Sequence, residues 1–224
     1  AVIGVRSGLV NYFTGYISNF RIVKGTALYT VNFTPTTTPL TAVTNTSLLT
    51  CQSNRLIDNS TNNFAITKNG DTTVSSAYPF ITPTTSSYNT QYSTTFDGTG
   101  GYITGASNAA LAVGTNQFTL EFWIYFRTVT DTQEIFRTST DATTGRLAVW
   151  YNGTSLQLTA TGGAGSTAAS YTFSAGQWYH VAGTRDASNN QRLFVNGALL
   201  ATSTSTNNYS QSGFALGAGQ ASGN

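Results

Sequence analysis

The sequence predicts an all-β protein built as an antiparallel two-sheet β-sandwich. Three observations carry this prediction: helical periodicity is nearly absent, residues 117–126 alternate strictly between two faces, and two Asn-Gly pairs stand between alternating segments. Many short strands separated by turn residues at even spacing indicate an antiparallel sandwich or barrel. The length of 224 residues fits one large all-β domain or one and a half smaller ones.

The clearest strand is QFTLEFWIYF, residues 117–126. Strict alternation predicts that one face of this strand is fully buried. That face carries the apolar side chains Phe118, Leu120, Phe122, Ile124 and Phe126. The other face carries Thr119, Glu121, Trp123 and Tyr125. Aromatic rings beside a carboxylate predict that this second face is either partly covered or a binding surface.

Further strands follow on both sides of this segment. RLAVWYNGTSLQLTA (146–160) and QRLFVNGALLATS (191–203) each place Asn-Gly between two alternating runs. Asn-Gly is a strong hairpin signal because the tight turn that matches strand twist needs positive φ at both central residues. GQWYHVAGTRD (176–186) is predicted as a strand between them, and FDGTGGYITG (96–105) as a strand, a glycine turn and a strand.

The remaining elements are weaker. SLLTCQSN (47–54) and NFAITKNGD (63–71) are candidate strands. The segments 106–113 and 24–29 are predicted to form short helical turns. TVNFTPTTTPLTAVTNT (30–46) contains two of the four prolines and is predicted to be an extended linker.

Composition excludes several classes of function. Charged residues make up 8% of the chain, against roughly 25% in typical soluble proteins, and threonine and serine take their place. The net charge of +2 is spread without a basic run, so no nucleic-acid partner is expected. No apolar stretch approaches the roughly 20 residues of a membrane span, so no membrane insertion is expected. The lone Cys51 cannot form an internal disulfide.

Four of these segments, in this order and spacing, resemble the laminin-G-like family of concanavalin A-like lectin jelly rolls. They are FDGTGGYI, FTLEFWIYF, GQWYHVAGTRD and RLFVNGALL. FTGYISNFRIVKGTALY (13–29) also resembles that family, but it resembles the closing strands of a domain. The segment 45–70 resembles the opening of one. The resemblance therefore implies a jelly-roll fold.

The order of these segments predicts an unusual domain organisation. Residues 1–41 are expected to be the closing strands of a laminin-G-like unit, and residues 42–224 a sandwich that lacks its own closing strands. FALGAG (214–219) is then the same strand as AVIGVR (1–6), one repeat later. With no methionine in the sequence, we expect a piece of a tandem array. Alternatively, residues 1–41 close the sandwich within the chain as in a circular permutation, or complete a neighbouring subunit by strand exchange.

No catalytic residues are predicted. Glycoside hydrolysis needs two carboxylates about 5–9.5 Å apart, but the residues that share the face of Glu121 include no second acid. His180 is the only histidine and is expected to be a structural, hydrogen-bonded residue. With one histidine and one cysteine, a zinc site is excluded.

Calcium is the one cofactor that the resemblance implies, because related lectin-like domains often bind it through loop aspartates. Asp58 in IDNSTNN and Asp97 in FDGTGG are the candidate calcium ligands. The alternative is that both carboxylates only accept hydrogen bonds from their own turns, as aspartate readily does.

The resemblance also implies a carbohydrate-binding face. Its candidate ligand-binding residues are Glu121, Trp123, Tyr125, Trp150 and Tyr151, because aromatic planes stack on the apolar faces of pyranose rings. The alternative is that these rings pack between the two sheets or beneath a loop. In VWY (149–151) one of the two adjacent aromatics must face inward, whereas Trp178 is expected in the core.

Three functions are compatible with these observations. The first is a non-enzymatic structural or adhesive module of an extracellular or virion surface fibre, such as a tail fibre. Its partners would be neighbouring copies of itself or other fibre subunits, together with a host-cell glycan. The second is a dedicated carbohydrate-binding, lectin-like domain of a secreted bacterial protein. The third, a glycoside hydrolase, is disfavoured by the carboxylate spacing.

Overall fold

The computed structural model describes residues 9–80, 92–129, 131–139, 144–160 and 165–220. Within these ranges every regular element is a β-strand, and every pairing between strands is antiparallel. Two large sheets enclose a common hydrophobic core. The prediction of an all-β antiparallel sandwich is confirmed. The described residues contain no helix of the length and apolarity needed to cross a membrane.

The strands run in chain order. The first nine are β1 (Leu9–Val10), β2 (Thr14–Lys24), β3 (Thr46–Thr50), β4 (Ile66–Asn69), β5 (Thr73–Ser75), β6 (Ser93–Asp97), β7 (Tyr102–Gly105), β8 (Phe118–Phe126) and β9 (Gln133–Arg137). The next eight are β10 (Leu147–Tyr151), β11 (Ser155–Ala160), β12 (Thr167–Ser170), β13 (Trp178–Arg185), β14 (Asn190–Val195), β15 (Ala198–Thr204), β16 (Phe214–Leu216) and β17 (Gly219–Gln220).

The described strands divide between two large sheets and one small one. The first sheet has eight strands in the spatial order β15-β14-β13-β8-β2-β6-β5, with β3 also paired to β2. The second sheet has seven strands in the order β12-β11-β10-β9-β16-β7-β4. β1 pairs with β17. The N-terminal strand β2 therefore lies in the middle of the first sheet, between β8 on one side and β3 and β6 on the other.

The core lies between the two large sheets. The apolar residues that strict alternation assigned to the inner face of β8 are all buried in it. Strands β10 and β11 of the second sheet contribute Val149 and Leu158 to the same cluster. Alternation along a single strand was therefore enough to identify the face that packs on the opposite sheet.

Both predicted Asn-Gly hairpins are present, as β10-β11 and β14-β15. Their turns differ. Asn196 and Gly197 both have positive φ, 50° and 79°, as the two-residue turn requires. In the other hairpin Gly153 has a φ of 89°, whereas Asn152 is not left-handed. There the Asn152 side chain stabilises the turn, because its Oδ1 accepts a hydrogen bond from the Ser155 amide at 2.7 Å.

A β-bulge in β2 changes which of its side chains face the core. Ser18 lies opposite Trp123 and Arg21 lies opposite Glu121, so β2 has one extra residue at this point. Asn19, with a φ of 54°, occupies the bulge. The extra residue shifts the period-2 alternation by one position. As a result, Arg21 faces outward toward Glu121. Without the bulge, the alternation of the residues before it would point Arg21 into the core.

Substitution of Asn19 tests how strongly this bulge depends on the asparagine. Its buried Oδ1 accepts hydrogen bonds from the Leu40 amide and Gln52 Nε2, both at 2.8 Å. We expect Asn19→Ala to lower the free energy of unfolding by about 2–4 kcal/mol, because alanine loses these bonds and tolerates positive φ less well than asparagine. Asn19→Gly loses only the bonds and should cost about 1 kcal/mol less. Equal losses in urea denaturation would contradict a role for the backbone conformation.

Candidate functional site

The outer face of the first sheet, which points away from the core, carries the residues that the sequence assigned to the second face of β8. Trp123 and Tyr125 lie half-buried on it. The neighbouring strand β13 places His180 opposite Trp123 and Trp178 opposite Tyr125. On the other side, β2 places Tyr16 opposite Tyr125. Three adjacent strands therefore contribute aromatic or imidazole rings to one surface.

One end of this outer face is covered by residues 25–41, which we call the strap. Thr119 Oγ1 accepts a hydrogen bond from the Leu28 amide at 2.7 Å and donates one to the Thr26 carbonyl at 2.9 Å. Thr184 Oγ1 donates to the carbonyl of Tyr29 at 2.8 Å. The segment predicted as an extended linker has no regular secondary structure through residue 41, but it is fixed against the sheet.

Two aromatic rings of the strap pack onto the sheet. Tyr29 and Phe33 are stacked, with ring centroids 3.6 Å apart and an interplanar angle of 6°. Phe33 contacts the rings of His180 and Phe194 edge-on, at 5.6 and 5.4 Å. The strap therefore supplies apolar cover for the polar side chains beneath it.

A charged cluster is buried under the strap. Both carboxylate oxygens of Glu121 are engaged: Oε1 accepts from Arg21 Nε at 2.9 Å, and Oε2 accepts from the Tyr29 hydroxyl at 2.8 Å. His180 Nε2 lies 3.2 Å from Oε2. Arg21 also donates to the carbonyl of Thr41 at 2.7 Å. Glu121 is 0% exposed, so the expectation that it contacts a ligand is corrected by its position.

The cluster keeps Glu121 ionised. Burial alone would raise its pKa, but the hydrogen bond to His180 and the charge of Arg21 outweigh burial and hold the pKa of this carboxyl below its usual value. Burial, followed by the Glu121 charge, raises the pKa of Tyr29. An ionised carboxylate only accepts, so His180 donates to it through Nε2. His180 is thus the structural, hydrogen-bonded histidine that the sequence predicted.

Beyond the strap, the outer face carries the aromatic patch, which we define as Tyr16, Tyr125 and Trp178. Their ring centroids lie 5.3 Å (Tyr16–Tyr125), 5.6 Å (Tyr125–Trp178) and 6.2 Å (Tyr16–Trp178) apart. All three residues are half-buried. The exposed Arg127 lies at the edge of the patch, with its guanidinium carbon 4.6 Å from the Tyr16 ring centroid and Nη2 2.7 Å from the Tyr16 hydroxyl.

Trp123 lies beside the patch, but its ring is less accessible to a ligand. Its ring is flanked edge-on by Phe80 at 5.6 Å and His180 at 5.2 Å. Its indole nitrogen is buried, and neither that nitrogen nor His180 Nδ1 has a hydrogen-bond partner among the described residues. Of the two aromatic residues predicted to bind a ligand on this strand, Tyr125 belongs to the patch, whereas the ring of Trp123 is flanked by Phe80 and His180.

The sequence missed two members of the patch. Trp178 was expected in the core, but it lies half-buried on the outer face. The signal was present, because Tyr179 and Val181 both point into the core, and alternation then places Trp178 outward. For Tyr16, alternation with the buried Ile17 also indicates the outer face, but nothing local indicates its neighbours there, which come from β8 and β13, more than a hundred residues later in the chain.

Trp150 and Tyr151 lie in the second sheet, away from the patch. Tyr151 is 0% exposed and belongs to the core, and its hydroxyl donates to the carbonyl of Gly153 at 2.7 Å. Its position corrects the expectation that it binds a ligand. Trp150 is half-buried and points to the opposite face of its strand, on the other side of the sandwich from the patch. The five predicted ligand-binding residues therefore do not form one site.

Asp58 organises a turn. Its carboxylate is 4% exposed and accepts hydrogen bonds from the amides of Leu49 (3.0 Å), Ser60 (2.8 Å) and Phe64 (3.0 Å). The Ser60 hydroxyl donates a further bond at 2.8 Å. Both carboxylate oxygens are thus occupied by protein donors, as in the alternative that the sequence left open for this residue.

Asp97 also accepts hydrogen bonds within its own turn. Its donors are the Thr99 hydroxyl at 2.6 Å, the Thr99 amide at 3.0 Å and the Gly101 amide at 3.1 Å. The Thr99 hydrogen bonds lower the pKa of this carboxyl. Within the described part of the chain, no three histidine, cysteine or acidic side chains come together as metal ligands. Calcium binding at Asp58 or Asp97 stays a prediction.

Several solved structures resemble this fold. The binding domain of botulinum neurotoxin serotype C1 is 17% identical with a TM-score of 0.56, over 77% of this chain and 43% of that one. A structure of botulinum neurotoxin type C, whose cell entry depends on interaction with two ganglioside molecules, is 14% identical, with a TM-score of 0.52 over 80% and 44% of the chains. The serotype G binding domain is 14% identical, with a TM-score of 0.52 over 79% and 44%.

These likenesses concern the fold, and the present chain spans less than half the length of the solved chains it matches. The sequence has no significant match among curated proteins. A family model described as the concanavalin A-like lectin/glucanases superfamily, of the laminin-G type, matches residues 97–224. That range is more than half of the chain and contains strands from both sheets. The chain belongs to the concanavalin A-like lectin/glucanases superfamily.

Proposed function

We propose that this chain is a non-enzymatic, extracellular carbohydrate-binding module whose ligand lies on the aromatic patch. The observation that carries the proposal is the grouping of Tyr16, Tyr125 and Trp178, half-buried and side by side on the outer face. Each ring combines a large apolar surface with a polar tip. A pyranose ring has an apolar face and a rim of hydroxyl groups, so it complements this combination. Arg127 supplies further hydrogen-bond donors at the edge.

The structural neighbours support a binding role by analogy. They are binding domains of botulinum neurotoxins, and cell entry of the type C toxin depends on interaction with two ganglioside molecules. Gangliosides carry sugar headgroups, so a sandwich of this shape is compatible with glycan recognition. The likeness in fold favours a glycan ligand in general, and the chemistry of the aromatic patch supports this face as the place where the ligand binds.

An enzymatic role is less well supported, although the superfamily name includes glucanases. A glycosidase needs an accessible acid paired with a second carboxylate. Glu121 is 0% exposed and is neutralised by Arg21. Glu134 lies on β9 in the second sheet, so it does not face Glu121 across a common groove. We therefore propose binding without catalysis.

We also propose that the module belongs to a surface fibre, of a virion or a cell. The low charged fraction of 8% and the abundance of threonine are typical of such proteins. In this setting residues 1–41 and 42–224 would belong to successive units of an array, and neighbouring copies would be the protein partners. This setting adds an assembly role to glycan binding without replacing it.

Substitution of Trp178 tests the proposed site. We expect Trp178→Ala to reduce retention on a glycan array about tenfold, because one stacking surface worth about 1.4 kcal/mol is lost. The matched control is Trp150→Ala, which removes a half-buried tryptophan from the other side of the sandwich. Its retention should equal that of the unmodified chain. Unchanged binding by Trp178→Ala, or equal losses in both variants, would contradict the assignment.

A further inference from the structure

A second concave surface lies at the opposite end of β2 from the aromatic patch. It is a cleft of about 590 Å³, lined by the start of the strap and by the loops around residues 42–47, 61–62 and 110–116. The volume is within the range of about 300–1,000 Å³ that small-molecule sites occupy. Tyr16 and Lys24 are eight positions apart on the strand, which places the two surfaces about 25 Å apart. The cleft is therefore separate from the site proposed above.

The walls of the cleft are held in place by buried polar groups. The 0%-exposed Arg185 donates to the carbonyl oxygens of Gly114 at 2.6 Å and Asn116 at 2.8 Å. Thr46 Oγ1 accepts from the Val43 amide at 2.8 Å and donates to the Val43 carbonyl at 2.7 Å. Two of the three loops are thus fixed from behind, so the backbone from which their side chains project is preorganised.

The third wall is fixed in the same way by Asp58, one of the candidate calcium ligands. Its carboxylate holds the amides of Ser60 and Phe64, which flank the part of the turn that lines the cleft. Asn62 Nδ2 donates to the carbonyl of Ser47 at 2.9 Å, so that side chain is also oriented. Asp58 therefore acts on the cleft through the turn that it organises.

Several side chains that line the cleft carry hydrogen-bond donors or acceptors that are free to bind a ligand. Among the described residues, the side-chain amides of Asn45 and Asn116 are exposed and have no hydrogen-bond partner. Lys24 Nζ donates to the carbonyl of Ala109 at 2.9 Å, and an ammonium group has two further donors. A primary amide offers a donor and an acceptor side by side, which matches two adjacent hydroxyl groups of a sugar.

The charge of the cleft selects among such ligands. Lys24 is the one charged side chain among the described residues that line it, and the lining includes no aspartate or glutamate. None of the ion pairs found in the described residues involves Lys24. An unpaired ammonium beside two free amides favours a ligand that carries both a carboxylate and hydroxyl groups.

We propose that this cleft is a second binding site, specific for an acidic, carboxylated saccharide. The carboxylate lies on Lys24, and the ring hydroxyl groups lie on the amides of Asn45 and Asn116. This second site is distinct from the aromatic patch, and binding to it does not depend on the patch. A chain with both sites would hold one acidic glycan at two points, or two glycans at opposite ends of one sheet.

The test is a titration of the intact chain followed by ¹H–¹⁵N correlation spectra, with glucuronate, glucose and acetate as probes at equal ionic strength. We expect glucuronate to shift the Gly25 backbone amide and the Asn45 and Asn116 side-chain amides saturably. Glucose and acetate should bind at least about tenfold more weakly. If acetate shifted the same signals with the same affinity as glucuronate, the cleft would be a simple anion site. If glucuronate shifted none of these three residues, the cleft would not bind the sugar. Either result overturns the proposal.

Two variants and a matched control complete the test. Lys24→Met should weaken glucuronate binding about tenfold and abolish the preference over glucose. Lys68→Met, which removes the other lysine of the chain from an exposed position on β4, should leave binding unchanged. Asn116→Ala is the second variant and should also weaken glucuronate binding. Because the Asn116 side chain is exposed, its removal should not destabilise the fold. If glucuronate binds both cleft variants like the unmodified chain, the proposal is wrong. The Trp178 indole signal reports separately on the aromatic patch, so failure at one site is distinguishable from failure at the other.

Discussion

Replacing Glu121 by glutamine should lower the free energy of unfolding by about 3–5 kcal/mol. The substitution keeps the shape of the side chain but leaves Arg21, which is 5% exposed, without a countercharge beneath the strap. A buried cation without a partner keeps its full desolvation cost. Urea denaturation at pH 7 measures the loss. A cost below about 1 kcal/mol would show that the cluster is hydrated in solution.

A double-mutant cycle provides the control for this prediction. Arg21→Met combined with Glu121→Gln leaves no uncompensated charge, and the glutamine oxygen still accepts a bond from Tyr29. We therefore expect the double variant to be more stable than the sum of the single losses implies. Additive losses would contradict direct coupling between the two charges.

The same carboxylate predicts how stability depends on pH. The pKa of Glu121 is lower in the folded chain than its usual value of about 4.3. Its contribution is therefore fully present above that value and is lost as the pH falls through the lower, folded pKa. The difference in unfolding free energy between the unmodified chain and Glu121→Gln should shrink from pH 7 to pH 3. A difference that is constant over this range would contradict an ionised Glu121.

Removal of the N-terminal segment should have the largest effect of any change considered. A chain of residues 42–224 lacks β2, which lies between β8 and the pair β3 and β6. It also loses the core side chains Phe13, Ile17, Phe20 and Ile22. We expect it to show no cooperative unfolding transition in circular dichroism. A transition with an unchanged midpoint would mean that β2 is dispensable.

Addition of a peptide spanning residues 9–41 should restore the transition, because the missing strand can pair with β8 on one side and with β3 and β6 on the other. The same peptide with Phe20→Asp is the control and should not restore the transition.

Light scattering on the intact chain distinguishes a strand β2 that pairs within its own chain from one that is exchanged with a neighbouring chain. A monomer would mean that β2 pairs within its own chain, and an obligate oligomer would mean exchange with a neighbour along an array.

The fold was predictable because its signals are local. Alternation over Phe118–Phe126 requires only that neighbouring side chains point to opposite faces, and all the inward residues are in the core. The turn at Asn196-Gly197 is equally local, because the two residues themselves determine the positive φ values. The proposal that AVIGVR (1–6) repeats FALGAG (214–219) stays a prediction, since residues 1–6 lie outside the described part of the chain.

The site was only partly predictable because it depends on contacts between distant segments. Strict alternation in β2 does not place Arg21 opposite Glu121; the bulge at Asn19 does. Nothing local in the Thr- and Pro-rich strap shows that it packs on the sheet, since its hydrogen bonds reach Thr119 and Thr184. Sequence patterns identified the surface, and tertiary contacts determined which half of it is covered.

A titration of the intact chain with the glycan that the array retains best, followed through the indole N–H signals, determines whether the glycan binds on the aromatic patch. The chain has three tryptophans, so each signal is assignable by a single substitution to phenylalanine. We expect the Trp178 signal to shift saturably, whereas the Trp150 signal, on the opposite side of the sandwich, should not move. A saturable shift of Trp150 alone, or binding by the Lys24→Met chain that moves neither signal, would contradict a glycan site on the aromatic patch.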